Sequence, residues 1–260
     1  MESFLLLFVG LVGAAIGSFL NVVILRLPTK DASIVFPGSH CPQCDHPLAW
    51  YDNVPILSFI LLAGKCRYCR SPISWQYPLV ESAMAILSIC LYRQFGISLE
   101  MGYYFLFTAA LVVIIFIDIR HQIIPDSISL PGIAFGFAGS FFIDTLTWQQ
   151  SLIGLLLGGG VLYAIALIHY MLTKREGMGG GDIKLLAMIG AFLGWKSLLY
   201  VVFSSSILGS LVGVIVILKR GQGKQTRIPF GPFLAFGALS YLFLHEHIMA
   251  GWHAYLQLLG

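Results

Sequence analysis

Two kinds of residue in this chain have types and spacing that could do chemistry: aspartates at the edges of long apolar runs, and cysteines in two CxxC pairs. Asp118 closes an apolar run in IIFIDIRHQIIPD, and Asp182 follows a glycine run in GMGGGDIKLLA. Carboxylates inside or beside apolar spans are rare, because burying charge in lipid is costly. Two that meet can share one proton, so that the pair activates a water and protonates a leaving amine. Gly177, Gly179, Gly180 and Gly181, just before Asp182, would allow irregular backbone and close approach of an extended substrate strand. Such backbone is tolerated at membrane depth only where it lines a wet cavity or is buried in protein. Either aspartate alone could simply cap a helix at an interface, and Asp182 sits where a helix N-terminus favours a carboxylate. The glycine run beside one, and the placement of both at one membrane edge, tell against that.

The cysteines point to a metal. Cys41 and Cys44 form one CxxC pair, Cys66 and Cys69 the other, with 21 residues between the pairs. This is close to the spacing of a four-cysteine zinc ribbon, in which each turn presents two thiolates to one tetrahedral centre. A structural Zn2+ would help to fold an insert of about fifty residues that has little core of its own. A dithiol redox pair is the competitor, but neither CxxC sits in a strand-to-helix pattern. His40 and His46 could substitute as ligands and are read as bystanders. Cys90 is read as a small apolar filler.

These groups need positioning elements, and composition says which. The chain is 58% hydrophobic and 10% charged, where a soluble domain carries about 25% charged residues. The predicted fold is therefore all-α and membrane-spanning, with about eight transmembrane helices. Uncharged stretches run from Ser3 to Leu25, Ser82 to Tyr92 (back to Trp75 if Glu81 is tolerated), Met101 to Ile117, Ser127 to Ile143, Trp148 up to the charge at Lys174, Leu185 to Trp195, Ser197 to Leu218 and Ile228 to Leu244. The sixth is too short to span about 30 Å alone, so it must borrow residues before Asp182 or sit inside the bundle. The expected organisation is a first spanning helix over 1–25, retained rather than cleaved, a four-cysteine insert over 26–76, and a helical bundle over 77–260. All but Arg93 and Lys196 of the 15 basic residues fall on the side that carries the insert. By the positive-inside rule the insert and both aspartates face the cytoplasm and both termini face out. No basic run speaks for nucleic acid.

At this point GMGGGDIKLLA resembles the GxGD signature of intramembrane-type aspartic proteases, and together with DIRHQIIPD it resembles the type IV prepilin peptidase family. GSFLNVVILRLP, CPQC, CRYC, DNVPILSF and ISWQYPLVE agree, so the resemblance runs from about Gly17 to Trp195. It implies an aspartic endopeptidase with Asp118 and Asp182 as the catalytic pair and Gly179 and Gly181 in the catalytic loop. Asp126, after the proline of IIPD, is the rival for Asp118; the family pattern favours the earlier aspartate. His121, one turn from Asp118, is read as a loop residue. The resemblance further implies a bacterial inner-membrane enzyme whose partners are prepilin or pseudopilin precursors within the lipid bilayer. It would cut their basic leaders at the cytoplasmic face, then N-methylate the new N-terminal residue, usually phenylalanine, using S-adenosylmethionine. No Gly-rich nucleotide loop follows a strand, which excludes an ordinary Rossmann methyltransferase. The candidates for that second reaction are Glu81, Asn21, Arg26 and Asp52, polar residues on the insert side. Glu81 could hold or deprotonate the substrate amine; otherwise it is an interfacial carboxylate paired with Arg26 or another cation. The four-cysteine insert and YPLVE favour the bifunctional branch over relatives that resemble the protease half alone. The rival from another class is a membrane adaptor or transporter with a zinc module. A transport relay would, however, place carboxylates along mid-membrane helix faces. Oligomeric state and the identity of the client are not legible. His169 is read as interfacial, HEHIMAGWHAYLQLLG as an amphipathic surface segment with a metal role for His245 and His247 as an alternative, and Ser204 to Ser206 as helix-packing residues.

Overall fold

The computed structural model describes residues 2–29, 33–174, 179–220 and 228–259. Gly177, Lys30, Arg175, Lys224 and Arg227 lie outside the described residues, as does the side chain of His247. Among the described residues the chain is helical without a strand, and it divides into two compact units, Met1–Ile117 and Asp118–Gly260.

In the first unit α1 (Glu2–Arg26) packs on α3 (Gln76–Phe95). The contact is close because glycine faces it: a methyl group at Gly17 would stand 2.8 Å from the Glu81 Cα. The helix ends at Arg26 just before Leu27-Pro28, since the residue before proline is disfavoured in helical conformation. The insert between the two helices holds only a short 3-10 turn (Trp50–Asp52) and α2 (Leu57–Leu61) as regular elements. α3 runs back through Glu81 to Gln76, so the acidic residue is tolerated inside the helix. α4 (Leu99–His121) begins in this unit and carries Asp118 in its last turns.

The second unit comprises α5 (Asp126–Gly139), α6 (Trp148–Thr173), α7 (Gly180–Leu193), α8 (Trp195–Arg220) and α9 (Gly231–Leu259). α7 is its centre and packs against the other four. Fourteen residues make about 21 Å of helix, too short to cross a bilayer. Its run from Leu185 to Phe192 is buried throughout, so the segment sits inside the bundle and is apolar on every face. Gly154 and Gly158 of α6 stand at GxxxG spacing against α7. A methyl group at 158 would lie 2.5 Å from the Leu186 carbonyl oxygen, and the Ser151 hydroxyl donates to the Ala191 carbonyl at 2.7 Å. Ser205 donates to the Phe233 carbonyl at 3.0 Å and to Val201, so it ties α8 to α9. α9 continues unbroken through HEHIMAGWHAYLQLL, where a separate surface segment was expected.

α1, α4, α6 and most of α8 are long and apolar enough to cross a membrane. Their uncovered faces carry Phe4, Leu156, Leu167, Leu211 and Ile217, a surface suited to lipid rather than water. The chain is a multi-pass membrane protein, with eight helices of 14 residues or more among the described residues.

Candidate active site

In the second unit three chain segments bring the aspartates together. Asp118, at the end of α4, is 5% exposed, and its Oδ2 accepts the backbone N–H of Gly231 at 3.0 Å. Asp182 is the third residue of α7 and half-buried; its own N–H donates to the Gly179 carbonyl at 3.2 Å. Its carboxylate has no hydrogen-bond donor among the described residues, and it lies within reach of the Asp118 charge. Ile124, in the link from α4 to α5, wedges between the heads of α7 and α9. Its Cδ1 is 3.5 Å from where a Cβ at Gly181 would stand and 3.1 Å from where one at Gly231 would stand.

Of the two uses expected of the glycines before Asp182, the described ones do not show irregular backbone. Gly180 and Gly181 are already helical and Gly179 has extended backbone, so none of the three needs a conformation reserved for glycine. What they supply is space. A Cβ at Gly181 would lie 2.9 Å from the Cβ of Ile124, whereas one at Gly180 would meet no described residue within 4 Å. Asp126 is occupied elsewhere: it is exposed at the start of α5, with both oxygens 2.7 Å from Lys184 Nζ. His121 is exposed at the end of α4. Gly231 was missed by sequence reasoning; the only signal was a Gly-Pro pair heading the last apolar segment.

In the first unit the four cysteines form one cluster, with all sulfurs within 4.8 Å of one another and Cys41 and Cys69 Sγ 3.8 Å apart. A tetrahedral site with metal–sulfur bonds of about 2.3 Å has sulfur–sulfur edges of about 3.8 Å, so the arrangement fits a four-thiolate metal ion. The two knuckles share one pattern. The Cys41 N–H donates to the His46 carbonyl and Asp45 N–H to the Cys41 carbonyl; Cys66, Ser71 and Arg70 repeat both bonds. Asp45 (φ 54°) and Arg70 (φ 61°) take the left-handed backbone that closes each turn. The Gln43 backbone N–H, ahead of other causes, brings the Cys41 thiol down to about 6. Cys44 is pushed up to about 11, since burial and the neighbouring sulfurs outweigh the lowering effect of the His46 backbone N–H. Four thiolates in this space need a cation. His40 and His46 lie outside the cluster; the His46 ring stacks on Tyr68 at 3.6 Å.

The four candidates for a second reaction are all engaged. Asn21 is fully buried and donates to the Gly17 and Tyr77 carbonyls at 3.3 and 3.2 Å, while its Oδ1 accepts from Gln76 Nε2 at 3.2 Å. Arg26 binds the Ser33, Pro37 and Gly38 carbonyls and so pins the start of the insert. Among the described residues Glu81 pairs with neither Arg26 nor another cation: its Oε2 accepts the Ile56 N–H at 2.7 Å, with the Ser18 hydroxyl also in reach. Ile56 has φ 64° and ψ −49°, a strained backbone for a β-branched residue, and Leu57 N–H closes the turn onto the Pro55 carbonyl at 2.6 Å. Asp52 has a side chain only 2% exposed; Oδ1 accepts from Arg67 Nε at 2.8 Å and Oδ2 has no donor. Gln76, which sequence reasoning passed over, has another buried acceptor without a donor among the described residues, Oε1.

The family "Bacterial Peptidase A24 N-terminal domain" matches residues 11–95, and the "Type IV leader peptidase family" matches residues 105–214. A prepilin leader peptidase/N-methyltransferase of Myxococcus xanthus is 40% identical over 215 residues, 83% of this chain and 64% of that protein. Proteins of the same description from Stutzerimonas stutzeri and Pseudomonas aeruginosa are each 36% identical. The first match covers 94% of this chain and 91% of that protein, the second 96% and 93%. No solved structure matches the chain.

Proposed function

Since the chain belongs to the type IV leader peptidase family, we propose that it is a prepilin leader peptidase and N-methyltransferase whose hydrolytic pair is Asp118 and Asp182. The observation that supports this most is that the two carboxylates, from the end of α4 and the start of α7, lie within electrostatic reach of each other, with Ile124 packed against both Gly181 and Gly231 beside them. One carboxylate takes a proton from water while the water oxygen bonds to the scissile carbonyl carbon. The carbon–nitrogen bond then breaks as the pair returns a proton to the departing amine. The products are a leader ending in a carboxylate and a chain with a free N-terminal amine. The substrate is a pilin-like precursor with a basic leader at the cytoplasmic face of the bacterial inner membrane and an apolar helix left in the bilayer.

Zn2+ held by Cys41, Cys44, Cys66 and Cys69 gives the insert a fixed frame. The buried acceptors Asp52 Oδ2 and Gln76 Oε1 lack donors among the described residues, and each suits an N–H donor of the kind that the ammonium and amino groups of S-adenosylmethionine carry. When bound, that molecule supplies an electrophilic methyl group to the new amine. On this side of the reaction Asn21 orients Gln76, and Glu81 holds the turn at Ile56 that follows Asp52.

The test is cleavage of a prepilin-like precursor by the detergent-solubilised protein, comparing wild type with Asp118→Asn and Asp182→Asn after checking that each is folded. Loss in both variants supports the pair. Cleavage by either removes the assignment, and a wild type that cuts no such precursor returns the adaptor or transporter to the front. Mass analysis of the product shows whether a methyl group is added, and its absence under S-adenosylmethionine leaves a protease alone.

A further inference from the structure

We propose that Gly231, at the head of α9, is the positioning residue of the peptidase pair; this rests on Asp118 and Asp182 being that pair. The first N–H groups of a helix have no partner within their own helix, and the N-terminus favours negative charge. The Gly231 N–H is such a group, and it is spent on Asp118 Oδ2 at 3.0 Å in a buried contact. That bond fixes one oxygen of the carboxylate and thereby the direction of Oδ1, the oxygen left for water. Asp182 has no comparable anchor among the described residues and depends on the first turn of α7 for its place.

The residue type follows from the same geometry. A Cβ at 231 would stand 2.6 Å from Asp118 Oδ2, 3.3 Å from its carboxyl carbon and 3.1 Å from Ile124 Cδ1. Any larger residue therefore presses on the carboxylate at 2.6 Å, closer than on any other atom. Gly231 touches no reacting atom. It acts through Asp118.

The experiment uses the full chain in detergent and a prepilin-like precursor. Gly231→Ala is expected to lower kcat about 100-fold, as a displacement of about 1 Å does at a catalytic group, with KM and melting temperature near wild type. Ile124→Val relieves the crowding of Cδ1 but not that of Oδ2, so the double variant Gly231→Ala/Ile124→Val is expected to stay impaired. Recovery in the double variant would mean that crowding of Ile124 was the cause and would overturn the proposal. If Gly231→Ala does not fold, an ester in place of the amide at residue 231 removes the N–H without adding an atom. Its kcat should fall about 10- to 100-fold, the effect of one hydrogen bond to a charged group, and full activity there refutes the anchoring role. Asp118→Asn and Asp182→Asn separate the two ideas. If they still cleave, the pair itself is wrong; if they are dead while Gly231→Ala cuts normally, only the role of Gly231 fails.

Discussion

Gly158→Ala tests whether the α6–α7 crossing sets the place of Asp182. A methyl group at 158 would stand 2.5 Å from the Leu186 carbonyl oxygen, 3.0 Å from its carbon and 3.3 Å from the Ala187 Cα, all backbone atoms that no rotamer can move aside. An ordinary carbon–oxygen approach is about 3.3 Å, so the helices must part by about 0.8 Å. Overpacking of this kind costs about 1–3 kcal/mol, while alanine in place of glycine returns about 1 kcal/mol of helix propensity. The net change in stability is therefore small, about 0–2 kcal/mol by those two terms. Activity is the sharper readout. Leu186 lies one helical turn beyond Asp182, and a shift approaching 1 Å at a catalytic group costs up to about 100-fold; precursor cleavage should fall about 10- to 100-fold while the protein stays folded. Gly160→Ala is the control, because nothing lies within 4 Å of a Cβ there; it gains the propensity without the clash. Wild-type cleavage by Gly158→Ala, or equal damage from Gly160→Ala, would refute the reasoning.

Gly181→Ala should lower cleavage far more than Gly180→Ala, since only the former meets Ile124, at 2.9 Å; equal rates would show that Ile124 yields. Asp126→Asn should cleave at close to the wild-type rate and lose no more than about 1 kcal/mol in denaturation, because its pair with Lys184 is solvent-exposed. Loss of activity there would make Asp126 a rival for Asp118 again. Glu81→Gln keeps an acceptor for the Ile56 N–H, whereas Glu81→Ala strands it, so alanine should cost about 1–3 kcal/mol more than glutamine in thermal melts. A chelator strong enough to strip a four-thiolate site should release one metal ion per chain and expose the Cys41 and Cys66 thiols, buried in the folded insert, to alkylation. Unchanged alkylation after metal loss would show that the knuckles hold themselves.

Much of this protein is legible from residue types and their spacing. Long uncharged runs predict helices because a span through lipid must satisfy its backbone internally, and every run became one. The CxxC pairs predict a cluster because a two-residue spacer lets both thiolates face one centre. The same local turn then formed twice. The short sixth run carried its own warning, since an apolar stretch too short to span the bilayer is accommodated inside a bundle, as Leu185 to Phe192 of α7 are. What neighbours do was not legible. Asp118 and Asp126 sit eight positions apart in the same motif, and only the fold occupies one with Lys184 and leaves the other at the head of α9. Glu81 looked free to meet a cation until α1 and the Ile56 turn closed over it. Gly231 lies 113 positions from the carboxylate it holds, and its contribution is a backbone N–H, a group that every residue but proline carries. Side-chain identity reports apolar faces, turns and ligand sets; a hydrogen bond from the backbone, and the empty space where a Cβ would have been, exist only once distant helices meet.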